Sequence, residues 1–195
     1  MKRTAAVAIL ALLATATSAL WLRADEEDKI AADAKALKAR DNVANVRAIA
    51  KKWKEDAILV GLLGNMVKDN GTVDASSPDS ADAYWEYCFF SPATKFEGED
   101  DTSARLSITL VGGKVEKTPA APTSSDRIPL PDDFVDSDRV WAAAKKKDPK
   151  AAGTAQMVLG HHPEMKDHPF QWDFTSEAGS LSIDSKSGDP VGAAH

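Results

Sequence analysis

Residues 84–90 read Tyr84-Trp85-Glu86-Tyr87-Cys88-Phe89-Phe90. Side chains of a strand alternate between the two faces of its sheet, so Trp85, Tyr87 and Phe89 share one face and Glu86, Cys88 and Phe90 the other. Both faces of this strand are therefore partly covered. The alternation returns in Phe170-Gln171-Trp172-Asp173-Phe174-Thr175, where the aromatics face a core and Gln171 and Asp173 face water. Sheet is built in two separate places. Further strands are predicted over residues 57–67, 105–111, 114–117, 154–159 and 181–185. The first runs into Lys68-Asp69-Asn70-Gly71, whose Asn-Gly pair predicts a hairpin.

A helix precedes each group of strands. Val43, Val46, Ile49, Ala50 and Trp53 recur at helical spacing, with Asp41 or Asn42 as cap. Asp136, Ser137 or Asp138 caps a second helix over 139–147, which Pro149 stops. A thinner amphipathic helix, with Ile30, Ala34 and Leu37 on one face, is expected over 25–40. Pro119, Pro122, Pro129 and Pro131 leave no room for regular structure between the two groups. The expected organisation is a signal peptide at 1–24, a charged N-terminal helix at 25–42, a helix-plus-sheet unit at 43–117, a Pro-rich linker at 118–135 and a second unit at 136–195.

The two units share residues as well as order. Ala48-Ile49-Ala50-Lys51-Lys52 matches Ala142-Ala143-Ala144-Lys145-Lys146, and Leu62-Leu63-Gly64 matches Val158-Leu159-Gly160. Trp85-Glu86-Tyr87 matches Trp172-Asp173-Phe174, and Leu106-Ser107-Ile108 recurs as Leu181-Ser182-Ile183. Matches in one order point to an internal duplication. The fold class expected is α+β, with two similar helix-plus-antiparallel-sheet halves, Trp53 and Trp141 on equivalent helix faces, and Leu106 superposing on Leu181.

The closing segment carries a family resemblance. Gly179-Ser180-Leu181-Ser182-Ile183-Asp184-Ser185-Lys186-Ser187-Gly188-Asp189-Pro190-Val191 resembles the last hairpin of PepSY-type domains, an alternating apolar strand running into Asp-Ala-x-Thr-Gly and back through Val or Ile. Ser185 and Ser187 stand where the family has Ala and Thr, and Pro190 lengthens the return; the first unit keeps only Gly113 of the turn. The resemblance covers about 60 residues of the second unit. It implies a helix packed on an antiparallel sheet, repeated, and extracytoplasmic binding or inhibitory modules without catalytic residues.

Export is also legible in the first residues. Lys2 and Arg3 precede an apolar run from Ala5 to Leu13 and small residues from Ala14 to Ala19, the layout of a secretory signal, with cleavage expected between 19 and 24. Taking Lys2, Arg3 and Arg23 from the 24 basic residues leaves 21 against 30 acidic ones, a mature charge of −9. Such a surface repels phosphate backbones and excludes a nucleic-acid binder. No stable membrane association is expected once the signal is removed. One cysteine, Cys88, excludes an internal disulfide and any multi-cysteine zinc site.

Few residues suggest chemistry. His161, His162 and His168 lie within eight positions, Met157 stands upstream and His195 closes the chain, so imidazole and thioether donors suited to copper are candidate metal ligands. Cys88 sits mid-strand among aromatics, where a thiol is structural rather than nucleophilic. Glu97-Gly98-Glu99-Asp100-Asp101 lacks the ligand spacing of a calcium loop and reads as a solvated tip. There is no Gly-x-Ser-x-Gly, phosphate loop or His-Glu-x-x-His. The function expected is an exported binding module, not an enzyme and without a cofactor, that recognises a protein or peptide. The alternative is a periplasmic metal-binding protein using the loop from His161 to His168; a hydrolase with a dispersed site stands third.

Overall fold

The computed structural model describes residues 28–30, 33–77, 81–95, 102–120 and 127–191. The expected signal peptide and the acidic tip at 97–101 lie outside them. In chain order the elements are α1 (Val43–Trp53), β1 (Ile58–Lys68), β2 (Tyr84–Phe90), β3 (Arg105–Val111), β4 (Lys114–Pro119), α2 (Ser137–Lys147), β5 (Thr154–His161), β6 (Phe170–Ser176) and β7 (Gly179–Asp184). All seven strands join one antiparallel sheet in the order β4-β3-β2-β1-β5-β6-β7. The fold class is α+β. Strands from the two expected units meet at its centre, where β1 pairs with β5.

Both helices lie on one face. Val46, Ile49 and Ala50 of α1 and Val140, Trp141, Ala143 and Ala144 of α2 pack into a single cluster with Leu59, Leu62, Trp85, Tyr87, Phe89, Ile108, Leu110, Met157, Leu159, Trp172, Phe174 and Ile183. Alternation places all these strand residues on the same side. α2 starts at Ser137 because the Asp136 carboxylate caps it, accepting from Ser137 N at 2.8 Å. Asn42 stands at the N-cap of α1 without a side-chain capping bond.

Four expectations give way to tertiary contacts. Residues 33–42 form turns instead of continuing the predicted helix, and Leu37 bridges to Val73. The carbonyls of Leu37 and Ala39 accept from Trp85 Nε1 (2.9 Å) and Tyr87 OH (3.0 Å), and Ala39 N donates to Ser137 Oγ (3.1 Å). Groups a helix would pair internally are spent on the core. Asn70-Gly71 makes a tight turn, Gly71 N donating to Lys68 O (2.8 Å), but leads back to Val73; β2 begins only at Tyr84. Gly71 has φ +82° and lies so close to α2 that a Cβ would collide with the backbone of Asp138. Within the expected linker, Leu130 and Phe134 are core residues, and Leu130 N donates to Leu59 O (2.9 Å). Gln171, expected wet, is buried, with Nε2 donating to His168 O (2.8 Å).

Register also corrects the repeats. Leu62 faces the helices, whereas Val158 pairs with Leu63 on the opposite face, so matching Leu62 to Val158 inverts the strand. Leu106 and Leu181 both face the helix side, but Leu106 sits opposite Phe89 and Leu181 opposite Phe174. The residue opposite Tyr87, the partner of Phe174 in the sequence match, is Ile108. Trp53 closes α1 while Trp141 lies in the second turn of α2, so the two are not equivalent.

Candidate functional site

The other side of the sheet carries no α-helix among the described residues; only the single 3-10 turn Thr102–Ala104 reaches it, at one end. Its middle is one row of cross-strand neighbours: Thr109 on β3, Glu86 on β2, Leu63 on β1, Val158 on β5, Asp173 on β6 and Ser182 on β7. All six are half-buried. Leu63 and Val158 form an apolar pair at the centre, with one carboxylate on each flank. Beside it runs a second row, Ser107, Cys88 and Gly61 on one side and Gly160, Gln171 and Asp184 on the other. A Cβ added at Gly160 would meet no atom within 4 Å, so the backbone there is bare.

One end of this face is closed. A bulge between Leu59 and Gly61 turns Val60 outward, where it packs with Phe90 and Ala104, and with the partly buried Ile58 and Cys88. The Arg127 guanidinium lies 5.9 Å from the centre of the Phe90 ring. Cys88 is a half-buried thiol, in no disulfide, whose Sγ is 3.9 Å from Glu86 Oε1 and from Ser107 Oγ.

The histidines stand at the other side of the face and take separate partners. His161 packs its ring on Phe170, centroids 5.2 Å apart. His162 places Nδ1 3.3 Å from Glu164 Oε1 and Nε2 3.2 Å from Asp173 Oδ2. His168 Nδ1 is 2.9 Å from Asp184 Oδ2. Met157 is buried on the helix face, and His195 lies outside the described residues. The proposed copper donors are thus not gathered, and among the described residues no group of three or more His, Cys, Asp or Glu is arranged to hold a metal ion. Burial alone would raise the Asp184 carboxyl, but the N–H groups of Ser187 and Lys186 and the His168 ring outweigh it and leave it below its ordinary value. Glu164 is lowered too, first by its own N–H and then by His162.

Sequence reasoning missed the carboxylates. Asp173 was legible only as an outward residue of an alternating strand, yet it accepts from Ser182 Oγ (3.0 Å), meets His162 and shares a row with Glu86. The arrangement is a surface of apolar, anionic and hydroxyl groups. No helix among the described residues is long and apolar enough to cross a membrane. Comparison with family models, curated proteins and solved structures finds no match for this chain.

Proposed function

We propose that this protein is an exported, non-enzymatic binding module, built of two PepSY-like helix-plus-sheet halves, that recognises a protein or peptide on the helix-free face of its sheet. The observation that carries the reading is that face: a seven-stranded sheet with both α-helices on one side and, on the other, Leu63 and Val158 half-buried between polar and charged residues. An apolar pair flanked on both sides by carboxylates suits a recognition surface, whose apolar centre is ringed by polar groups.

The duplication is supported by pairing rather than by the alignment of strands β1 and β5 in sequence. About an axis between Leu63 and Val158, Glu86 answers to Asp173, Thr109 to Ser182, Trp85 to Trp172 and Leu110 to Ile183. Val46, Ile49 and Ala50 of α1 stand at the same steps as Val140, Ala143 and Ala144 of α2. The binding reading is tested by selecting random displayed peptides on the purified protein. Peptides that bind wild type and are lost on the Leu63→Lys/Val158→Lys variant, with circular dichroism unchanged, support it. Binders indifferent to that change, or no binders, overturn it.

A further inference from the structure

We propose that the row Glu86, Leu63, Val158 and Asp173 takes an extended peptide carrying a basic, an apolar and a second basic residue at alternate positions, i, i+2 and i+4. This rests on the reading that the helix-free face binds a partner, and adds what that partner is. The two carboxylates stand on β2 and β6, three strand spacings apart across β1 and β5, a separation of about 14 Å. An extended chain sends residues i, i+2 and i+4 to one side and spans about 13 Å from the first to the third. A peptide crossing the strands therefore sets its basic residues over Glu86 and Asp173, and its central residue over Leu63 and Val158.

The charges suit this occupant and few others. The Asp173 side chain is 43% exposed, and it is aimed by Ser182 Oγ at 3.0 Å and His162 Nε2 at 3.2 Å. A carboxylate has about four lone-pair sites, so room for an ammonium or guanidinium remains. The chain as a whole has 30 acidic and 24 basic residues, which draws a cationic partner and repels an acidic one. A second copy of this face would bring Glu86 and Asp173 against their own kind, so the arrangement disfavours self-association through it. The bare backbone at Gly160 leaves space for a bulky central side chain to lean into the neighbouring row.

Fluorescence anisotropy with labelled synthetic peptides tests the proposal. The probe has the core Lys-Thr-Leu-Thr-Lys; the comparison peptide has the same composition with its lysines two positions apart and leucine outside them. Wild type is expected to bind the first about tenfold more tightly, and Glu86→Gln/Asp173→Asn to weaken it about tenfold. Glu55→Gln/Glu177→Gln, which removes the same charge from exposed positions off the row, should change affinity less than about twofold. Equal affinity for both spacings, or equal weakening by both double variants, overturns the proposal in favour of unspecific charge attraction. Absence of binding to the probe also overturns it. If displayed peptides of another pattern still depend on Leu63 and Val158, the binding face itself survives that failure.

Discussion

Trp85 and Trp141 are both fully buried on the helix face, but their indole nitrogens differ in circumstance. Trp85 Nε1 donates to the buried Leu37 carbonyl at 2.9 Å, whereas Trp141 Nε1 has no hydrogen-bond partner among the described residues. Removing one member of a buried hydrogen bond leaves the other unsatisfied, at about 1–3 kcal/mol. Trp85→Phe is therefore expected to lower unfolding free energy more than Trp141→Phe, which discards a donor already unpaired. Trp172, whose ring contacts Trp85 and Phe134 edge-on, should cost about 3–5 kcal/mol when cut to alanine. Urea unfolding of the three variants checks the order; a Trp141→Phe protein as unstable as Trp85→Phe would contradict it. The alternation of aromatics made Trp85 and Trp172 legible as core. Their acceptors were not, because a backbone carbonyl carries no side-chain signature. Gly64 shows the same limit: its identity is plain, but a Cβ there would collide with the Trp85 ring, and only strand register reveals that neighbour.

At the start of α2, three consecutive residues hold the fold's first turns in place. The Asp136 carboxylate accepts from Ser137 N and from Arg40 N, Ser137 Oγ donates to Gly71 O at 2.6 Å, and Lys38 Nζ meets Asp138 Oδ2 at 2.6 Å. Burial pushes the Asp136 carboxyl above its ordinary value; the N–H groups of Ser137 and Arg40 pull the other way, and Asp138 and Asp41 add repulsion. A carboxyl raised in the folded state favours folding below its unfolded value, and that contribution is lost as pH rises through the folded value. Asparagine caps about as well as aspartate and does not titrate. Asp136→Asn should therefore gain stability relative to wild type between about pH 4 and pH 7. Urea midpoints at both pH values test this; a difference independent of pH would contradict it. Asp74 has the opposite sign. The hydroxyl and then the N–H of Ser76 lower it, so its contribution is lost as pH falls. The sequence predicted α2 and its cap, yet not what the cap also holds, since Arg40 and Gly71 lie far away in the chain. Residues 33–42 were misread for the same reason: their helical pattern is weaker than the pull of the Trp85 and Tyr87 polar tips.

Across the whole molecule, most strands were legible from alternation, but the single sheet was not. Each local pattern predicts a strand and a face; which strands meet depends on β1 finding β5, and no turn connects them. The candidate site was hidden by the same gap. Glu86 and Asp173 read as outward residues of separate strands, and they flank one row only because Leu63 pairs with Val158. The three histidines, within eight positions of one another in sequence, diverge to different neighbours once the loop is folded onto Gln171. That central pairing also shapes how the chain reaches its native state. Leu62 and Leu159, opposed in the sheet, are nearly a hundred residues apart, so closing this seam carries the largest loop entropy of any strand contact here. By contrast, β2–β3–β4 and β5–β6–β7 zip through neighbours in sequence. The seam should form last, after the transition state for either local meander. Met157→Ala, which thins the packing at the seam, is then expected to accelerate unfolding while leaving the refolding rate almost unchanged. Stopped-flow chevrons would show it, and a refolding limb slowed in proportion to lost stability would mean the seam nucleates folding instead. Until the seam closes, β1 and β5 each offer a bare edge to other chains, so the interval before closure is when this acidic protein is most open to clumping, and its surplus of negative charge is then a safeguard during folding as well as a feature of its finished surface.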